Sequence, residues 1–188
     1  MNDSAVFRDS ELAQHLNNGS LNLPEPSSLP GDTTNQSIPF VIVADDAFSL
    51  SNNLMKPYPE RGLTHCQRIF NYRLNRARRI VENAFGMLAN RFRILLSTIA
   101  FSVDKVELIT LTCCILHNFI LSRRPFLDNI VTNYSEIDSQ CHLTNLTRQQ
   151  GGNNPTRSAK AIRDHFMNYF NTTGSVSWQN EAVQKGNY

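Results

Sequence analysis

Two carboxylates and a run of arginines are the residues of this 188-residue chain best suited to chemistry. Glu82 is the lone acid between Arg61 and Val103, a span that also carries eight arginines, for a local charge of +7 against +2 for the whole chain. A carboxylate among so many guanidinium groups has two readings. Arg78 and Arg79 precede it by four and three residues, so an ordinary ion pair on one helix face is open. The other reading is a metal-ligand carboxylate, placed where arginines can receive a phosphate backbone. Asp45 closes the apolar run Phe40–Ala44, FVIVA, with Asp46 beside it. Acids at the carboxyl end of a buried strand stand where open α/β sheets hold their ligands. The alternative is that Asp45 or Asp46 only caps the next turn. A third cluster, Cys113, Cys114 and His117, has spacings that invite zinc, but no second pair at finger-like spacing completes it. A packed core histidine is expected there.

The elements that must position these groups follow from periodicity. Ile69, Phe70, Ala77, Ile80, Val81, Ala84, Phe85, Leu88, Phe92 and Leu95 recur at three- and four-residue steps, which predicts one long helix with an apolar face. Arg73, Arg76, Arg78, Arg79, Arg91 and Arg93 fill other positions of that helix. Arg76, Arg79 and Arg91 are the expected phosphate contacts. FVIVA is expected as a strand covered on both faces. Upstream, Asp9 or Ser10 can cap a short helix, with Leu12, Ala13 and Leu16 inward and Gly19 at its end. The proline-rich stretch up to Pro39 then reads as a surface loop. Downstream, Ser102 or Asp104 can open another apolar helix that runs toward Pro125. A last helix is expected over Ala159–Phe170, after which Trp178 either packs the tail onto the body or stands as an exposed aromatic in a frayed terminus.

Composition bounds the rest. With 40% hydrophobic and 18% charged residues, the chain has enough apolar material for one ordinary core. The N-terminus lacks the basic and apolar regions of a signal peptide, and no run of 18 or more apolar residues occurs. No membrane association is therefore expected. Cys113 and Cys114 are expected as buried thiols rather than a disulfide, in keeping with a reducing compartment. Three segments are anticipated: residues 1–124 as a compact domain, 125–158 as a polar loop, and 159–188 as a C-terminal helix and tail.

Taken together, VADDAF…LMKPYP, FNYRLNRARRIVENAFGMLANRFRIL and CCILHNF resemble the C-terminal part of a PIF/Harbinger-type transposase. The same pattern occurs in the Harbinger transposase-derived nucleases of the DDE endonuclease superfamily. The resemblance extends to NDSAVFRDSEL…LNLPEP and to IRDHFMNYF…GSVSWQ, and leaves residues 125–155 poorly matched. It implies an α/β fold of the RNase H-like kind, here helix-rich and incomplete, with the N-terminal strands missing. It also implies three metal-binding acids and DNA phosphodiester hydrolysis by divalent ions, Mg²⁺ being the expected one. The family's second acid falls on Asp45, with Ala44 in place of the usual glycine, and its third on Glu82. The first acid belongs to a strand upstream of the matched segment, so the chain is expected to be a fragment lacking it. Asp3 does not take that role. The partners implied are DNA and a separate DNA-binding protein, with no small-molecule cofactor, in the nucleus and also the cytoplasm. A non-catalytic DNA- or protein-binding remnant is the alternative.

Overall fold

The structure, a computed structural model, describes residues 3–123 and 154–186. Most of the expected polar loop, residues 125–153, lies outside these, with Cys141 in it. The chain divides into two compact units, Met1–Arg79 with Asn145–Tyr188, and Ile80–Thr144.

The first unit opens on two short helices, α1 (Asp3–Arg8) and α2 (Glu11–Asn17). Ser10 caps α2, its hydroxyl accepting from Ala13 N at 3.2 Å, and Ala13 is buried as expected. Leu12, expected inward, is instead exposed. Past Gly19, which takes the left-handed φ of +70° that glycine adopts without strain, the proline-rich segment crosses the surface. It is held at several points. Ser27 and Ile38 form an antiparallel bridge, Asp32 binds Thr34 N and His165 Nε2, and Tyr169 donates to Pro30 O.

The strand expected over Phe40–Ala44 is shorter, β1 (Ile42–Val43), and it pairs in parallel with β2 (Leu54–Met55). Burial on both faces was expected, but β1 is only partly covered and Phe40 is exposed. A sheet of two short strands leaves little backbone for layers to cover. Among the described residues the architecture is helix-rich with this one small parallel sheet, compatible with an α/β fold.

Helix α3 (His65–Arg91) begins at a capping box: Thr64 Oγ1 accepts from Gln67 N while Gln67 Oε1 accepts from Thr64 N. Its first turns build the core of the unit. Phe70 is fully buried and packs with Leu50, Met55, Tyr58, Leu74 and Ala159, against Ile162, Phe166 and Phe170 of α5 (Arg157–Asn171). Burying one such aromatic contributes about 1.5–3 kcal/mol. Asn71 is buried too, and both ends of its amide are paired, accepting from Tyr58 N at 2.8 Å and donating to Tyr58 O at 2.9 Å. Trp178, just before α6 (Gln179–Gln184), stacks edge-on with Tyr72 of α3 while remaining 40% exposed, so each of its two readings holds in part.

The second unit holds the remainder of α3, a 3₁₀ turn at Arg93–Leu96, and α4 (Val103–Ser122) with Ser102 at its N-cap. Leu88, Ala89, Cys113 and His117 are its buried residues among those described, whereas Ile80, Val81, Phe85, Leu108, Leu111, Ile115 and Phe119 are exposed. The apolar face predicted to run continuously along α3 is thus covered only in part. Helix α4 is also long and apolar enough to cross a membrane, by length and composition alone. The sequence expectation had rested on an unbroken apolar run, which Asp104, Lys105, Glu107, His117 and Asn118 interrupt.

Candidate functional site

Parallel pairing organises the chemistry of the first unit. Ile42 stands opposite Leu54 and Val43 opposite Met55, and Ala44 N donates to Met55 O at 2.8 Å. The chain therefore leaves both strands on the same edge of the sheet, Asp45 and Asp46 after β1 and Lys56 after β2. Asp45 turns at once: its Oδ1 accepts from Ala47 N at 2.9 Å, an Asx-type turn. The turn-capping reading of Asp45 is therefore realised. Its other oxygen, Oδ2, lies 3.7 Å from Arg78 Nη2, with both side chains about a quarter exposed. A partly exposed pair at this distance contributes less than about 1 kcal/mol, so it orients the carboxylate more than it stabilises the fold.

Lys56 Nζ donates to Asp46 O at 2.6 Å. Burial pushes its pKa down from the ordinary lysine value, Asp46 and Asp45 oppose that shift, and Arg163 adds to it. Arg163 lies over the Tyr58 ring at 3.9 Å, and its Nη1 reaches Pro57 O at 3.4 Å. Tyr58 in turn donates its hydroxyl to Asp164 Oδ1. Its phenol is pushed well above the usual tyrosine range, first by burial and then by Asp164.

The expected phosphate contacts occupy different settings. Arg79 is exposed on α3. Arg76 is also exposed, with its guanidinium 4.5 Å from the Trp178 ring centroid, a stacking that leaves the guanidinium edge to solvent. Arg73 is structural, donating to Gly174 O and Gln179 Oε1. In the second unit, Arg91 Nη1 points at His117 Nδ1 at 3.5 Å. Burial and then the Arg91 charge hold His117 below its usual 6.5, which favours the neutral ring expected of a core histidine. Cys113 is buried and Cys114 half-buried, both as free thiols.

Asp45 belongs to the first unit and Glu82, exposed on α3, to the second. Carboxylates are suitable donors for a hard divalent cation. Among the described residues, however, no group of three or more His, Cys, Asp or Glu is gathered to hold one. Both oxygens of Asp45 already face a backbone N–H or a guanidinium. The described residues do not make a complete metal centre.

Lys56 and the Arg78–Asp45 pair escaped the sequence reading. The place of Lys56 depends on β2, which is too short to show a strand period, and the Arg78–Asp45 pair joins residues far apart in the chain. The available signal for Lys56 was its place in LMKPYP, one of the segments that carry the family resemblance.

No curated protein and no solved structure matches the chain. A family model does, over residues 1–118, a span that takes in Asp45, Lys56, Glu82 and the three arginines. With well over half of its length matched, the chain belongs to the DDE superfamily endonuclease family.

Proposed function

We propose that this chain belongs to a Harbinger transposase-type DNA endonuclease with an RNase H-like fold. Membership of the DDE endonucleases makes a transposase-type nuclease with a DNA substrate the natural function class, and such enzymes typically use divalent metal ions. In this reading Asp45 and Glu82 are metal-binding catalytic carboxylates and Mg²⁺ is the ion. Arg76, Arg79 and Arg91 contact the phosphate backbone, and a separate protein supplies DNA recognition. A DNA substrate implies work in the nucleus, with the cytoplasm as a second compartment. The observation that carries the reading is the position of Asp45, at the carboxyl end of a parallel strand inside the family-matched segment.

Asp45 and Glu82 are two acids where the resemblance implies three. The 188-residue chain is therefore expected to give no Mg²⁺- or Mn²⁺-dependent nicking of supercoiled plasmid. A longer version with an upstream strand ending in aspartate is expected to nick. In that version Glu82→Gln should abolish cleavage and spare DNA binding, because it removes a ligand charge with almost no change in shape. Cleavage that persists in Glu82→Gln would remove Glu82 from the site. The second reading, a non-catalytic DNA- or protein-binding remnant, draws support from the absence of a three-acid group among the described residues. It predicts DNA binding without nicking in both versions.

A further inference from the structure

The parallel register sets Lys56 on the strand edge that carries Asp45. Val43 pairs with Met55, so the residues just beyond them, Ala44 to Asp46 on one strand and Lys56 on the other, leave the sheet together. Lys56 does not trail into solvent. Its Nζ is tied to Asp46 O at 2.6 Å, and the side chain is half-buried. An ammonium group carries three N–H donors, and this tether uses one. Nearby, Arg78 faces Asp45 from α3, while Arg163 is clamped by Pro57 O and the Tyr58 ring. Arg163 is thereby committed to packing, and Arg78 stands on the carboxylate. Of these three cations, Lys56 is fixed through the backbone of the turn that presents Asp45.

A lysine that only neutralised Asp45 or Asp46 would be expected to seek a carboxylate oxygen. Here it takes a main-chain carbonyl, which fixes the nitrogen, while Asp46 and Asp45 only partly offset its charge. Such a pre-placed point charge is how lysine serves phosphate, since its position needs no reorganisation when the anion arrives.

We propose that Lys56 is a phosphate-positioning residue, donating to a non-bridging oxygen of the DNA phosphodiester that lies against Asp45. The proposal rests on the DNA endonuclease reading above and deepens it, because none of the arginines expected to contact phosphate lies on this strand edge.

The test is equilibrium binding of the full 188-residue chain to a short DNA duplex, followed by fluorescence anisotropy over a series of salt concentrations. Lys56→Gln keeps an N–H for Asp46 O and removes the charge. It should lower the slope of log affinity against log salt by about 0.9, the amount due to one B-DNA phosphate contact. Lys56→Arg should restore the slope, and Lys185→Gln, at an exposed lysine paired with Glu181, should leave it unchanged. Thermal melts of each variant separate charge from fold, since a structural tether alone would move the melting temperature and not the slope. An unchanged slope in Lys56→Gln, or a slope that Lys56→Arg fails to restore, would overturn the proposal while leaving the endonuclease reading standing. A wild-type chain with no salt-sensitive binding would overturn that reading, and the proposal with it.

Discussion

Helix α3 is two helices in its surroundings and one in its hydrogen bonding. Near its start Phe70 is 0% exposed and Ile69 2%, whereas Ile80, ten residues after Phe70, is 72% exposed and Phe85 is 53%. The same three- and four-residue apolar period runs through both stretches. The difference is what lies against them. Helix α5 brings Ile162, Phe166 and Phe170 to the first stretch, and β2 brings Met55. Over Ile80–Phe85 the described residues supply no such cover. Periodicity therefore states that a face exists, and only tertiary partners decide whether it becomes core.

That contrast can be broken by mutation. Phe70→Ala should cost about 3–5 kcal/mol, the range for emptying an aromatic site in a core. Phe85→Ala should stay within about 0.5 kcal/mol, as exposed substitutions do. Urea denaturation of the two variants checks this, and equal losses would mean that both stretches are covered in solution.

A smaller effect sharpens the comparison within the covered half. Asn71→Ala leaves Tyr58 N–H and C=O without their buried partner, and a loss of about 1–3 kcal/mol is expected in the same denaturation experiment. Asn75, one turn on and only half-buried, provides the contrast: Asn75→Ala should change little.

The smallest effect is one of pH. Asp32 is held below its ordinary carboxylate value first by the Thr34 backbone N–H, then by the Thr34 hydroxyl, with His165 also lowering it. A depressed folded-state pKa contributes stability that is present above the unfolded value, near pH 4, and lost as pH falls through the folded one. Asp32 pins the proline-rich loop to α5, so this acid loss falls on the first unit. Asp32→Asn should flatten the fall in melting temperature between about pH 5 and 3. A fall of unchanged steepness would assign the acid sensitivity to other carboxylates.

How much the sequence disclosed follows the same division between local and tertiary signals. The Ser10 cap, the Ser102 helix start, the buried Ala13 and the last helix were legible because cap chemistry and helical period are written in neighbouring residues. The Thr64–Gln67 capping box was missed, and the apolar period alone placed the start of α3 several residues late. Strand β2 was not legible, because two residues carry no period, and the place of Lys56 depends on it; the Arg78–Asp45 pair joins residues too far apart in the chain to be read locally. Asp45 was readable as a strand-end acid in two ways, and its turn-forming bond to Ala47 N is on view beside its proposed role. The uncovered half of α3 was misread for a plain reason: an apolar stripe looks the same whether or not anything packs on it.

The amide of Asn71 has a bearing on solubility. FVIVA, uncharged and rich in β-branched residues, has the makings of a segment that seeds intermolecular sheets. Its partner β2 runs on as Lys56-Pro57-Tyr58-Pro59, in which the two prolines have no N–H to offer. The remaining ladder groups at Tyr58 are both occupied by a side chain from α3. A foreign strand arriving along this stretch meets no free pair of main-chain groups at Tyr58. Asn71 thus withholds the Tyr58 main-chain pair from any strand arriving along this stretch.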